Sequence, residues 1–279
     1  MSDNEYADIN AFELKKYMEE NNESNYTIVD VRQPEEYKQE HIPGSKLIAL
    51  PTLVSGAGTL PATGNLIFMC HSGIRSRTAA IIAESEVQKG QKIYNLTEGI
   101  LGWYGKTLPG IPKVQLLSDS DDFDEIMFSA MDLEKGAWNY YKTILEKFPG
   151  TPFQDAIEYL SLAEADHAEA LYHIIMRRKR DLGETGLPGF DDMFSGLKGD
   201  ILEGGTSLVD AVKKLDSIET DVNVSILEFA LDIEYSAFDL YKNAAQMTDD
   251  PDIKKTLNGI ANGEKNHMKK LAEAFSHID

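Results

Sequence analysis

The stretch Glu134-Lys-Gly-Ala-Trp-Asn-Tyr-Tyr141 decides the fold of the second half of this chain, because a matching stretch, Glu234-Tyr-Ser-Ala-Phe-Asp-Leu-Tyr241, follows 100 residues later. Each copy is followed, thirty residues after its Glu, by Glu-x-x-His. These later motifs are Glu164-Ala-Asp-His167 and Glu264-Lys-Asn-His267. Together the copies provide four carboxylates and two imidazoles. The repeat therefore has the ligand set of a dinuclear metal site.

Apolar residues around these motifs recur every three or four positions, which predicts helices. In the last predicted helix the spacing is continuous through Ile253, Leu257, Ile260, Glu264, His267 and Leu271. The Glu and His side chains thus occupy core-facing positions, where an unpaired carboxylate costs several kcal/mol and metal coordination removes that cost. One Glu-x-x-His motif is ordinarily accidental. Two copies on apolar stripes, each with a partner Glu at the same spacing, favour metal ligation.

Four long helices in two hairpins are predicted over residues 123–279, with turns at Phe148–Pro152 and Thr248–Pro251. Between the hairpins lie about forty residues, roughly 181–222, which are rich in Gly and Asp and contain one helical candidate at 207–219. A connection this long is uncommon in a compact domain but occurs in four-helix bundles as a crossover. The sequence therefore predicts an all-α bundle with a long crossover.

The positions of the turns predict that the ligands lie at one height in the bundle. With a rise of about 1.5 Å per residue, Glu134 and Glu164 lie at nearly equal distances from the first turn, and the second hairpin has the same symmetry. Tyr141 and Tyr241 follow the lone Glu residues by two turns. They are either hydrogen-bond partners of the ligands or core aromatic residues.

On these motifs and their order, residues 123–279 resemble the rubrerythrin branch of the ferritin-like di-iron proteins. The resemblance implies two iron ions per chain, with manganese and zinc as alternatives, and either reduction of peroxide or oxidation of ferrous iron by oxygen. The implied metal ligands are Glu134, Glu164, His167, Glu234, Glu264 and His267. The chain departs from the family at two points. Its single cysteine cannot form the four-Cys domain that supplies electrons, so the electron donor is unidentified, and Ala237 replaces an extra carboxylate.

Residues 1–112 alternate short apolar runs with helical patterns, which predicts an α/β domain with a parallel sheet and flanking helices. The predicted strands are Tyr26–Val31, Lys46–Leu50, Asn65–Met69 and Lys92–Leu96. Helical candidates lie near 10–20, 34–40 and 76–89. A polar stretch within 113–122 predicts the linker between the two domains. The fold class is therefore multidomain, α/β followed by all-α.

Cys70 ends an apolar strand and is followed by a predicted helix, so its thiol lies at a helix N-terminus. Backbone N–H groups, the helix dipole, Arg75 and Arg77 all favour the thiolate. A buried and inert cysteine at a strand end is the alternative. The neighbouring Gly73 and the two arginines favour a nucleophilic Cys70 instead.

With these residues in place, 1–112 resembles a rhodanese domain. The resemblance rests on Asp30-Val-Arg32, Glu36-Tyr37, His41-Ile-Pro-Gly-Ser45, the loop Cys70-His-Ser-Gly-Ile-Arg75 and Asn95-Leu-x-x-Gly99-Ile-x-x-Trp103. It implies that Cys70 accepts sulfane sulfur from thiosulfate or a persulfide and passes it to a thiol or cyanide. Arg75 would orient the anionic donor, and the loop His71, Ser72, Gly73, Ile74 and Arg75 would bind it. Related phosphatase loops contain one more residue between Cys and Arg, so sulfur transfer is favoured over phosphate or arsenate chemistry.

Residues 113–279 carry 33 acidic and 17 basic side chains and contribute −16 to the net charge of −20. Such a surface repels phosphate backbones and anionic membranes, so neither is an expected partner. No apolar run reaches the roughly 20 residues that span a bilayer. The first residues lack a secretory signal pattern, so a cytoplasmic protein is expected.

Two hypotheses combine these domains. In the first, the chain is a sulfurtransferase and di-iron oxidoreductase that handles sulfur under oxidative stress, with thiosulfate or a persulfide, an acceptor thiol and peroxide or oxygen as reactants. In the second, it binds or senses iron and the rhodanese-like domain serves as a docking module. Pairing of hairpins between chains predicts a homodimer.

Overall fold

The computed structural model describes residues 6–56, 58–105, 107, 114–117, 123–218 and 222–277. Contacts divide the chain into two compact units, Met1–Ile111 and Pro112–Asp279. Most of the predicted linker, 113–122, lies outside the described residues, and its described part, Val114–Leu117, is a 3-10 helix. Within the described ranges, no helix combines the length and the apolar character that crossing a membrane requires.

A parallel sheet forms the centre of the first unit. Its described strands are β1 (Ala7–Ile9), β2 (Tyr26–Asp30), β3 (Lys46–Leu47), β4 (Asn65–Met69) and β5 (Ile93–Leu96). They lie in the order β1-β5-β4-β2-β3, and every pairing is parallel. Alternate strand residues point to opposite faces, so Ile28 and Ile67 join one apolar cluster while Val29 and Phe68 join another. The predicted α/β fold class is confirmed.

The described helices of this unit cover both faces of the sheet. They are α1 (Ala11–Glu20), α2 (Pro34–Gln39), α3 (Leu50–Val54), α4 (Ile74–Ala83) and α5 (Gly99–Gly102). The predicted strand Lys46–Leu50 is wrong in its second half, because pairing stops at Leu47 and Pro51 lies in the first turn of α3, where proline is well tolerated. The predicted helix near 76–89 begins earlier and ends at Ala83, and turns follow it.

The described part of the second unit is helical. Its helices are α6 (Phe123–Lys147), α7 (Gln154–Asp181), α8 (Phe190–Gly196), α9 (Leu208–Asp216), α10 (Val222–Ala244) and α11 (Pro251–Ala274). Helix α6 packs along α7, and α10 packs along α11, which gives the two predicted hairpins. The side chain of Asp250 accepts hydrogen bonds from the first turn of α11 and so fixes where this helix begins. The predicted four-helix bundle is confirmed.

The bundle core consists of two apolar clusters with one polar layer between them. On α6, Met131 belongs to the first cluster and Ala137 to the second, and Glu134 lies between them. On the other three long helices the predicted ligands also lie between the two clusters, and on α7 and α10 the second cluster comes first along the chain. The six ligand side chains therefore share one level of the bundle, as the positions of the turns predict.

The crossover contains more structure than the sequence predicts. Helix α9 corresponds to the candidate at 207–219, whereas α8 is absent from the prediction because a seven-residue helix has too short a periodic pattern to detect. Between these helices, Ile201 and Ser207 form an antiparallel bridge that closes a tight turn. Leu202, in this turn, is fully buried in the core of the bundle.

Candidate functional site

The Nδ1 atom of His167 faces three carboxylates from three different helices. It lies 3.0 Å from Glu264 of α11, 3.5 Å from Glu134 of α6 and 3.6 Å from Glu164 of its own helix. The repeat thus brings together residues that are up to 130 positions apart in the chain. Both hairpins contribute to this half of the site.

The Nδ1 atom of His267 has an equivalent environment. It lies 2.8 Å from both Glu234 and Glu264 and 3.7 Å from Glu164. The rings of His167 and His267 are stacked with centroids 5.1 Å apart. Glu164 and Glu264 each lie near both histidines.

The ligand atoms form two groups that share two residues. Glu134 and His167 belong to the first group, Glu234 and His267 belong to the second, and Glu164 and Glu264 belong to both. Within each group the ligand atoms lie within 4.8 Å of one another. This arrangement fits two metal ions, each with one histidine and one carboxylate of its own, and with two carboxylates shared between them.

The chemistry of the buried donors also fits a metal centre. Glu134 Oε2, both carboxylate oxygens of Glu264 and His167 Nδ1 make no hydrogen bond within the described residues. Buried lone pairs without a partner are costly, and bound cations would satisfy them. Carboxylates combined with imidazoles suit iron or manganese and also accept zinc. Two divalent cations would balance the charge of the four carboxylates.

Without metal, protons must neutralise this layer. Burial raises the pKa of Glu164 well above its ordinary value, and the charges of Glu234 and Glu264 raise it further. Burial likewise raises the pKa of Glu234 to about 7, although His267 opposes the shift. For His267, burial lowers the pKa, but the hydrogen bond to Glu234 and the negative charge of Glu264, 2.8 Å away, outweigh it and raise the value to about 10. Metal binding at this layer would therefore release protons.

Two buried tyrosines hold the lone Glu residues crosswise. Tyr141 of α6 donates a hydrogen bond to Oε1 of Glu234 on α10, and Tyr241 of α10 donates to Oε1 of Glu134 on α6. Both tyrosines are fully buried. The sequence leaves open whether these tyrosines bond to the ligand residues, and in the structure both do so. Each hydrogen bond joins one hairpin to the other. The unshared carboxylates are thus fixed from opposite sides.

Sequence reasoning does not find Glu203, a further buried carboxylate of this bundle. It lies in the turn between α8 and α9 and is 2% exposed. Burial and the charge of Glu134 raise its pKa well above the ordinary value. A single Glu in a Gly-rich connection carries no periodic pattern, so only its burial reveals it.

In the first unit, Cys70 lies between β4 and α4, and its side chain is buried. Its Sγ atom accepts a hydrogen bond from the N–H of Gly73 at 3.1 Å. Gly73 has a φ of +93°, which a side chain disfavours, so the loop requires glycine here. The hydroxyl of Ser76, in the first turn of α4, lies 3.4 Å from Sγ. The loop thus directs donors at the sulfur, as its position before a helix predicts.

These donors lower the pKa of Cys70. Burial of the thiol opposes ionisation, but the Ser76 hydroxyl and the backbone N–H groups of Ser76, Ser72 and Gly73 outweigh it. Of the groups that the sequence suggests, the backbone N–H groups therefore stabilise the thiolate more than the two arginines do, and the Ser76 hydroxyl adds to them. Arg77 is mostly exposed and lies 4.0 Å from Asp8. Near neutral pH, a larger fraction of Cys70 is therefore present as thiolate than of an ordinary cysteine.

Ser76 and Asn95 support the thiol, and the sequence does not assign a role to either. The Ser76 hydroxyl lies 2.7 Å from Asn95 Oδ1, and Asn95 Nδ2 donates to Asp8 Oδ1 at 2.8 Å. Since Ser76 has one hydroxyl proton, Asn95 and the sulfur compete for it. A thiolate is the stronger acceptor, so ionisation of Cys70 draws this proton towards the sulfur.

The predicted binding loop surrounds the buried thiol. His71, Ser72 and Ile74 are exposed at its rim. The guanidinium of Arg75 donates two hydrogen bonds, each of 2.6 Å, to the carboxylate of Glu36 on α2. This bidentate pair lowers the pKa of Glu36 to about 2. Glu36 therefore holds Arg75 in place beside the loop, and no local sequence pattern predicts this pairing.

The polar residues Asp30, Arg32 and His41 join structural elements of the first unit. Arg32 donates to Asp30 Oδ2 at 2.7 Å and to the carbonyl oxygen of Glu40 at 2.6 Å. The ring of His41 stacks on Tyr37 with centroids 4.1 Å apart. These contacts fix the end of β2 against the connection that follows α2.

Two family models match the chain. A rhodanese-like domain model matches residues 11–106. A rubrerythrin model matches residues 225–279, which include all of α11 and most of α10. Helices α6 and α7 lie outside the second match and carry the other copy of the repeated ligand motif.

Known proteins resemble part of the chain. A Bacillus subtilis protein named as a sulfur carrier, YrkF, is 39% identical over 80 residues, which are 29% of this chain and 42% of YrkF. Another from this organism, named as a sulfurtransferase, YtwF, is 29% identical over 105 residues, 38% of this chain and 97% of YtwF. A solved structure, that of a rhodanese-like domain protein from Staphylococcus aureus, has 28% sequence identity to this chain and a TM-score of 0.30. The match covers 34% of this chain and 89% of the Staphylococcus aureus chain. On the two family matches, the chain joins a rhodanese-like domain to a rubrerythrin domain.

Proposed function

We propose that the chain combines sulfane-sulfur transfer through a Cys70 persulfide with redox chemistry at a carboxylate-bridged di-iron centre, and that it handles sulfur under oxidative stress. The observation that carries the proposal is the sharing of Glu164 and Glu264 by two groups of ligand atoms. A single metal ion would not need a duplicated set of this kind. The hydrogen bonds to the Cys70 sulfur support the sulfur-transfer part.

In the first reaction step, the Cys70 thiolate attacks the outer sulfur of thiosulfate. The sulfur–sulfur bond of the donor breaks, sulfite leaves with its electron pair, and a persulfide forms on Cys70. The backbone donors that now face Sγ, including Gly73 N–H, are suited to stabilise the added negative charge. An acceptor thiolate then attacks the outer sulfur and takes it, and this restores the Cys70 thiolate.

In the second domain, the six ligand residues would hold the iron pair, and Tyr141 and Tyr241 would orient the two unshared carboxylates. When bound, such an iron pair supplies or accepts electrons in reactions with peroxide or oxygen. The two apolar clusters above and below the ligand layer keep water away from it. Buried carboxylates also provide places for the protons that peroxide reduction consumes.

Peroxide oxidises the thiolate form of cysteine, and the lowered pKa of Cys70 favours this form. If the iron centre removes peroxide, Cys70 should survive one equivalent of peroxide better in protein loaded anaerobically with Fe²⁺ than in metal-free protein. Trapping with dimedone followed by mass spectrometry of the Cys70 peptide measures the sulfenic acid, which is the product that one equivalent of peroxide forms. Catalase added to the metal-free protein serves as the control for protection by peroxide removal. Equal oxidation of Cys70 with and without bound iron would contradict the proposal.

A further inference from the structure

The crossover segment 198–207 is fixed to one face of α6. The backbone N–H groups of Lys198 and Gly199 donate to Oδ1 of Asp132 at 2.7 Å and 3.1 Å. The side-chain amide of Asn139 donates to the carbonyl oxygen of Gly199 at 3.0 Å. Because Asp132 and Asn139 are seven residues apart, they lie on the same face of the helix. The segment therefore has a defined position on the bundle.

This segment continues into the space between α6 and α10. A Cβ atom on Gly136 of α6 would lie 2.0 Å from the carbonyl oxygen of Ile201, so the absence of a side chain at Gly136 permits the close approach. A Cβ atom on Gly204 would lie 3.3 Å from Oγ of Ser236 on α10. Gly136 and Ser236 each follow an unshared ligand Glu by two residues. The turn that contains Glu203 is thus built against both lone-Glu helices, at about the height of the ligand layer.

Glu203 is buried in this turn without a partner for its charge. It is 2% exposed, and neither of its carboxylate oxygens makes a hydrogen bond within the described residues. After burial, the largest influences that raise its pKa are the negative charges of Glu134, Glu264 and Glu234. An unpaired buried carboxylate costs several kcal/mol. A cation bound among these carboxylates would remove this cost.

We propose that Glu203 is a further protein ligand of the dinuclear centre, which the crossover supplies and no long helix provides. The inference rests on the proposed metal centre. The oxygens of Glu203 lie outside the two groups of mutually close ligand atoms, so ligation requires its side chain to move towards the ions. The charge of Glu203 adds to the charge of the other four carboxylates, which two divalent cations balance.

Titration of the full chain with Co²⁺ tests this inference, because the visible spectrum of bound cobalt reports its ligands as well as its affinity. In Glu203→Gln, we expect binding to weaken by about 10-fold or more, together with a changed visible spectrum. Gln has the size of Glu but no charge, so the metal-free variant should be at least as resistant to urea as the wild type. Asp200→Asn removes an exposed carboxylate three residues away and is the matched control. It should leave both affinity and spectrum unchanged.

Each outcome decides the inference. If the wild type binds two Co²⁺ ions and Glu203→Gln binds them with the same affinity and spectrum, Glu203 is not a ligand, while the proposed centre stands. A weaker affinity with an unchanged spectrum also overturns ligation, since it shows an effect of charge alone. If the wild type binds no Co²⁺, the proposed centre fails and the inference fails with it.

Discussion

Replacing Glu264 by Gln is expected to abolish binding of both metal ions. Glu264 lies 3.0 Å from Nδ1 of His167 and 2.8 Å from Nδ1 of His267, and it belongs to both ligand groups. Its loss therefore removes a donor from each metal position at once. The effect should exceed the roughly 10- to 100-fold loss of affinity that follows removal of a group that only orients a ligand.

Equilibrium dialysis with Fe²⁺ under anaerobic conditions, followed by metal analysis, measures this effect. Glu273→Gln is the matched control, because Glu273 lies on the same helix with an exposed side chain. It should bind metal as the wild type does. Metal should also raise the thermal midpoint of the control and the wild type but not that of Glu264→Gln, since a ligand stabilises the state that binds it. Retention of both ions by Glu264→Gln would show that Glu264 is not shared between them.

Replacing Cys70 by Ser is expected to reduce thiosulfate sulfurtransferase activity to background. Serine fits the buried position, but its hydroxyl does not ionise near neutral pH and cannot form a persulfide. Incubation with thiosulfate should add the mass of one sulfur atom to the wild-type chain and nothing to the variant, and an acceptor thiol should remove the addition. Sulfur transfer that survives in Cys70→Ser would place the reaction elsewhere. Metal content should not change, because the six metal ligands belong to the second unit.

The companion variant Ser76→Ala tests how the loop activates Cys70. The Ser76 hydroxyl lies 3.4 Å from Sγ and helps to lower the pKa of the thiol. Its removal should raise that pKa, so the rate of alkylation by iodoacetamide should reach half its maximum at a higher pH than in the wild type. A pH profile identical to that of the wild type would mean that the backbone donors suffice without Ser76.

The sequence predicts the bundle well because its signals are repeated and long. The 100-residue displacement relates two sets of ligands, and the 3.6-residue period extends over more than twenty residues in each of α6, α7, α10 and α11. In the first domain, strands β2 and β4 lie inside the sheet and consist mainly of apolar residues, which makes them easy to identify. Edge strand β1 has three residues, too few for any pattern to emerge.

What the sequence does not predict depends on contacts between distant segments. The crosswise bonds of Tyr141 to Glu234 and of Tyr241 to Glu134 follow from how the two hairpins face each other, which no local pattern encodes. Glu203 looks like an ordinary loop carboxylate until the turn around it is placed between α6 and α10. Similarly, the pairing of Arg75 with Glu36 depends on the packing of α2 beside the Cys70 loop.

The central claim is that the repeated motif forms one dinuclear centre, and anaerobic titration of the metal-free chain with Fe²⁺ tests it most directly. Two iron ions should bind per chain, and the oxidised product should show the near-ultraviolet absorption of ferric ions bridged within one site. We expect two ions because the ligand atoms form two groups, which share Glu164 and Glu264. Saturation at one iron per chain or fewer would contradict the account.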